Sequence, residues 1–185
     1  MKHLTASALL TLLPLTAPAA VIFSGTNGEL DFNTATGNFT KGGITVTLTA
    51  NDGVVNATSN GLGINGSSGS DDTDGLDTLA LTEILTVSFD QDVVFEAISI
   101  ASVGTNDALE LSFNGGTPVT LSSTGSHSFN ETLLAGQELT ITATIPSGSP
   151  GPNNGVNITS FTVVPEPGTA LLALGAGLCA LRRRR

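Results

Sequence analysis

The chain has 185 residues, with one cysteine and neither tryptophan nor tryptophan-like indole chemistry nor tyrosine, a length suited to one domain of ordinary size. All 16 acids lie between residues 20 and 181 with Lys41 as the one base among them; Lys2, Arg182, Arg183, Arg184 and Arg185 sit at the two ends. So anionic a body, with Lys41 as its single cation, cannot displace phosphate counterions to any extent, which excludes nucleic acid as a partner, and 12% charged residues are too few for a charge-rich disordered chain.

The chain begins Met1, Lys2, His3, continues as an apolar run to Leu15 and ends that run in Thr16, Ala17, Pro18, Ala19, Ala20. A basic start, a short apolar helix and small residues at Ala17 and Ala19 read as a secretory signal, with cleavage by signal peptidase after Ala19 and Ala20 as the close second. An apolar run of about a dozen residues falls short of the ~20 that a spanning helix needs. The first unit is therefore residues 1–19, a signal helix, and the body occupies residues 20–163.

Period-two alternation dominates the body. Ile44, Val46, Leu48 and Ala50 share one face, and Thr45, Thr47 and Thr49 share the other. The pattern returns at Leu85, Val87 and Phe89, at Leu109, Leu111 and Phe113, and at Leu139, Ile141, Ala143 and Ile145. Asn114, Gly115 and Gly116 supply a hairpin turn into Val119 and Leu121. Residues 93–100 carry apolar side chains on both parities, which predicts a strand covered on both faces. Residues 156–164 change parity after Ile158, which predicts a bulge near Ser160. No segment patterns as a helix of ten residues; the best candidate, residues 131–135, is one turn long. Residues 59–76 and 146–155 read as loops of low complexity. The expected fold is an all-β antiparallel sandwich of jelly-roll form, with much of its core volume supplied by the eight phenylalanines.

Subtraction says most about chemistry. Residues 20–163 hold one histidine, His127, one lysine, and no cysteine, tyrosine, tryptophan or arginine. A multi-histidine metal site, a cysteine nucleophile and an arginine clamp are all absent. A Ser-His-Asp triad would have to use His127, but no G-x-S-x-G elbow accompanies it, and Gly125, Ser126, His127, Ser128 reads as a strand edge. A pair of carboxylates could still serve a glycosidase, although sugar sites usually offer aromatic faces and only Phe is present, mostly at core parity. The expectation is a non-enzymatic protein.

Asp71, Asp72, Asp74 and Asp77 fall within seven residues, with Gly75 between the last two. Their mutual repulsion would be relieved by a hard cation with oxygen ligands, and calcium is the natural choice. The order is not that of an EF-hand loop; Glu83 is a more distant candidate ligand. The competing reading is a solvated acidic loop. The outward threonines 45, 47, 49 and 140, 142, 144 form rows if their strands are neighbours. Such arrays can match an ice lattice, yet no regular repeat supports that use, and Thr is favoured on the solvent face of strands in any case.

At the other end stand Pro165, Glu166 and Pro167, then an apolar run at residues 170–181, then Arg182, Arg183, Arg184 and Arg185. The prolines end any preceding strand. As a helix the run spans ~18 Å, so it crosses a bilayer only with help from its flanks, and the arginines hold its end in the cytoplasm. Cys179 lies within this run and acts as a small apolar side chain; alone, it forms no internal disulfide.

Residues 164–185 resemble the PEP-CTERM sorting tail of exported bacterial proteins, some of whose labels mention ice-binding proteins. The resemblance implies recognition and removal of the tail by an exosortase, a membrane-embedded protease or transpeptidase. It also implies a bacterium with a Gram-negative type of envelope and exopolysaccharide. On this reading the protein is exported, anchored transiently by a short C-terminal transmembrane helix, and left at the cell surface or in an extracellular matrix. The alternative is a calcium-dependent carbohydrate-binding jelly-roll module.

Overall fold

The computed structural model describes residues 18–67, 75–78, 81–104, 106–145 and 155–166. Among them the chain forms β1 (Val21–Ser24), β2 (Thr36–Lys41), β3 (Ile44–Ala50), β4 (Val54–Thr58), β5 (Gly61–Asn65), β6 (Ile84–Phe89), β7 (Val93–Ala101), β8 (Ala108–Phe113), β9 (Val119–Leu121), β10 (Gly125–Leu133), β11 (Glu138–Thr144) and β12 (Asn157–Pro165), with no helix. The signal helix and the C-terminal membrane helix expected from the sequence lie outside the described residues. Among the described residues no helix is long and apolar enough to cross a membrane.

Two six-stranded antiparallel sheets pack as a sandwich. One has the order β10-β7-β12-β5-β4, with β1 also on β12; the other runs β2-β3-β6-β11-β8-β9. Strand β12 shares one edge between two partners. Ile158 pairs with Leu62 of β5, and residues 160–163 pair with β1. Gly25 sits at the handover, where its N–H donates to the Thr159 carbonyl at 2.9 Å. A Cβ at that position would collide with the Ile158 carbonyl oxygen and with Leu62, so the close approach of three backbones requires glycine.

The alternation resolves into one core between the sheets. Ile44, Val46, Leu48, Leu85, Val87, Leu109, Leu111, Leu139 and Ile141 are buried, and the threonines between them face outward. The two sheets are bridged by stacked and edge-on rings. Phe23 of β1 lies 5.3 Å from Phe161 and meets Phe39 and Phe89 of the opposite sheet, while Phe95 contacts Phe113, Phe129 and Phe161. Such ring pairs add about 0.5–1.5 kcal/mol each beyond area burial.

Two sequence expectations need correction. Strand β7 is not covered on both faces. Val93, Phe95, Ile98 and Ile100 all point into the core, because the ladder slips by one residue at Glu96 and reverses the parity. Residues 59–76 are not loop throughout: residues 61–65 are β5, a strand buried in four of its five positions. Its Leu62 and Ile64 fill the core, while Gly61 leaves room for Asn157 and Ile158 of β12. Glycines needed for close strand approach resemble loop composition when read as sequence. The bulge expected near Ser160 is present, with Thr159 as the extra residue.

Register fixes the two ends of the body. Val21 stands opposite Val163, and Pro165 stands opposite Val93. The folded body therefore starts and finishes at the same end of the sandwich, together with the β6–β7, β10–β11 and β8–β9 connections. Leu76 bridges Val156 at the other end, which places the described edge of the acidic loop far from both termini.

Candidate functional site

Three groups of residues stand out from the sequence. The first is the sorting segment. Strand β12 continues through Val164 to Pro165, which as the last residue of the ladder needs to donate no further strand bond. Glu166 then folds back onto the body. Its N–H donates to the Asp92 carbonyl at 3.0 Å, and its Oε1 accepts the Thr132 hydroxyl at 3.1 Å. Thr132 and Val164 both face Val94, on opposite sides of β7. The Glu166 side chain thus spans the central strand to reach β10. Asp92 makes a further clasp, because its Oδ1 accepts the Ala135 N–H at 2.8 Å. Pro167, Arg182, Arg183, Arg184 and Arg185 lie outside the described residues.

Neither Thr132 nor Asp92 carries a motif, and no spacing in the sequence links them to Glu166. Only the pairing of β10 and β12 with β7 brings them together.

The second group is acidic. Asp71, Asp72 and Asp74 lie outside the described residues, but Asp77 is placed and is 3% exposed, as is Glu83. These two residues bind each other twice. The Asp77 N–H donates to Glu83 Oε2 at 2.9 Å, and the Glu83 N–H donates to the Asp77 carbonyl at 3.0 Å. Val156, which bridges Leu76, is followed by Asn157, whose Oδ1 is buried and accepts no hydrogen bond. Leaving such an oxygen unpaired costs about 1–3 kcal/mol. Among the described residues no three acidic, histidine or cysteine side chains gather as a metal site. Asp77 and Glu83 carry oxygen donors of the kind a hard cation takes, whereas Asn157 packs beside Gly61 of β5.

At the same end, Asp52 is held below the usual carboxylate range chiefly by the Ser67 hydroxyl, which donates to it at 2.7 Å, with help from the Ser67 N–H. This contact ties the start of the acidic segment to the turn between β3 and β4. Near the opposite end, Glu29 is held below its ordinary value of 4.5, first by its hydrogen bond to Lys41; burial opposes this, and the hydrogen bonds from Asn27 and the Ser24 N–H add smaller lowering effects. The Lys41 Nζ lies 2.7 Å from Glu29 Oε1.

The third group is the hydroxyl face of the second sheet. Strands β3 and β11 are not neighbours; β6 runs between them and contributes Thr86. The register aligns Thr36, Thr49, Thr86, Thr140 and Ser112 in one row across five strands. Some of these hydroxyls bind one another along the rows, as at Thr36–Thr49, 3.2 Å, and Thr40–Thr45, 2.9 Å. His127 lies on edge strand β10, where its Nε2 pairs with the Ser123 carbonyl at 2.8 Å. That oxygen is an acceptor, so the ring nitrogen is the donor.

No curated protein matches this chain. Among solved structures, the crystal structure of the Podospora anserina GH26-CBM35 β-(1,4)-mannanase is similar at 15% identity with a TM-score of 0.35; the match covers 80% of this chain, which spans 28% of that one. Residues 163–185 match the PEP-CTERM protein-sorting motif. The match begins at Val163, inside β12, so the motif starts within the folded body and the chain carries a PEP-CTERM protein-sorting motif at its C-terminal end.

Proposed function

We propose that this chain is an exported bacterial surface or extracellular-matrix protein, non-enzymatic, whose C-terminal tail is removed by an exosortase-type membrane protease. Signal peptidase takes residues 1–19, the tail anchors the body transiently, and tail removal delivers the body outside the cell, where exopolysaccharide is the nearest partner. The observation that carries this reading is the sorting motif at residues 163–185. The body adds a geometric argument. Because Val21 and Val163 face each other, the folded body begins and ends at one end of the sandwich, the end to which both membrane-directed segments attach. Replacing Arg182, Arg183, Arg184 and Arg185 by neutral residues tests it: the precursor should accumulate unprocessed, and unchanged mature mass and location would contradict the reading.

The body itself we read as a jelly roll. Strands β5-β12-β7-β10 in one sheet and β6-β11-β8-β9 in the other, with the chain passing between sheets as it advances, support that topology. Strands β1 to β4 then extend it.

A second reading, a calcium-dependent carbohydrate-binding module, is favoured by the burial of Asp77 and Glu83 beside the acidic loop. In it Asp71, Asp72, Asp74 and Asp77 supply ligands, and calcium orders the loop that meets the glycan. Titration of the purified body with calcium separates the two readings, since a melting temperature that ignores calcium removes the second.

A further inference from the structure

We infer that Thr132 is a positioning residue for the sorting motif: by holding Glu166 against the body it keeps the start of the motif closed to the processing enzyme, which acts on the fraction of molecules whose β12 end has peeled away. The inference rests on the exosortase reading above and adds a control built into the substrate.

Three contacts define the closed form. Pro165 is in the ladder opposite Val93, the Glu166 N–H is on the Asp92 carbonyl, and the Glu166 carboxylate is on the Thr132 hydroxyl. An enzyme that reads Pro-Glu-Pro must have the Glu166 carboxylate and the backbone around it free, and neither is free while these contacts stand. Reach makes the conflict sharper. Three residues, 167–169, separate Glu166 from the apolar run, and three residues extend at most ~11 Å. While the tail is anchored, the folded body is thus held close to the membrane surface, and the motif can be reached only where β12 ends.

Opening is local. The terminal pair of a ladder frays at much lower free energy than the whole sandwich unfolds, and attack on a frayed segment follows the open population when closing is fast. Apparent affinity then falls by the fraction of molecules that are open, while turnover of the bound substrate is untouched. The Thr132–Glu166 hydrogen bond is exposed to solvent, so its removal raises that fraction by about fivefold, the value for an ordinary hydrogen bond.

The test compares the full chain with Thr132→Val, Thr132→Ser and Asn51→Ala in cells that process the wild type, following conversion of precursor to mature form by pulse-chase and intact mass. Asn51→Ala removes the Asn51 side-chain bonds to the Thr82 carbonyl and the Ile84 N–H at the far end of the body, and so lowers stability without touching the clasp. Thr132→Val should convert about fivefold faster at subsaturating enzyme and at the wild-type rate when enzyme is in excess. Thr132→Ser should restore wild-type kinetics, and Asn51→Ala should not accelerate conversion. In the same samples the Glu166 amide of Thr132→Val should exchange its hydrogen faster, with the Leu139 amide unchanged. Equal conversion of wild type and Thr132→Val, or equal acceleration by Asn51→Ala, overturns the inference and leaves the sorting reading standing. A wild-type chain that is never shortened overturns both.

Discussion

Val21 faces Val163 across the β1–β12 ladder, so the first strand of the body is held by the last. Strand β1 is four residues long, yet it places Phe23, fully buried, onto Phe161 and against Phe39 and Phe89. The sandwich therefore closes only when both ends of the body are in place.

Phe23→Ala should accordingly destabilise the body by about 3–5 kcal/mol, because it leaves a cavity between the sheets. Its neighbour Ile22 is 54% exposed, and Ile22→Ala should stay within about 0.5 kcal/mol. Urea unfolding of the two variants checks the contrast; equal losses would mean that β1 is not seated as described.

Gly25→Ala should cost more than a usual glycine substitution in a strand. The new methyl meets backbone on both sides, from Ile158 and Leu62, and neither can rotate away. A loss of about 1–3 kcal/mol is expected from overpacking. Gly43→Ala, at a turn with open space around it but a φ of +82°, should be destabilised by backbone strain alone, by about 1 kcal/mol.

The Lys41–Glu29 pair sets a pH dependence. Glu29 titrates lower in the folded body than in the unfolded chain, so its contribution is present above about 4.5 and is lost as pH falls through the folded value. Lys41→Met should lower the urea midpoint slightly near neutral pH, by less than about 1 kcal/mol in stability, and the difference should vanish in acid. A gap between wild type and variant that persists or widens in acid would contradict the assignment.

Strands with clean alternation were legible in the sequence: β3, β6, β8 and β11 lie where Ile44, Leu85, Leu109 and Leu139 begin their patterns. These strands sit together in one sheet with one face wet, which is the condition that produces alternation. The other sheet was harder to read. In β5 the glycines replace side chains with room for neighbouring backbone, and in β7 a one-residue slip at Glu96 moves the core face from odd to even positions. The sorting segment was legible because its signal is local in sequence. Its clasp by Thr132 and Asp92 was not, because the partners come from β10 and the β6–β7 turn, more than 30 residues away.

For calcium, Asp77→Asn is the informative substitution. On the carbohydrate-module reading, calcium raises the melting temperature of the wild-type body, and Asp77→Asn loses most of that rise while folding normally without the metal. If calcium stabilises both proteins equally, Asp77 is no ligand and is only a buried carboxylate joined to Glu83.

The claim on which the account turns is that an acidic β-sandwich is exported and trimmed at both ends. Intact-mass measurement of the protein recovered from the producing cells and their surroundings tests it most directly. The account predicts an extracytoplasmic species beginning at Ala20 and lacking the arginine-ended tail; a full-length chain retained in the cytosol would contradict it.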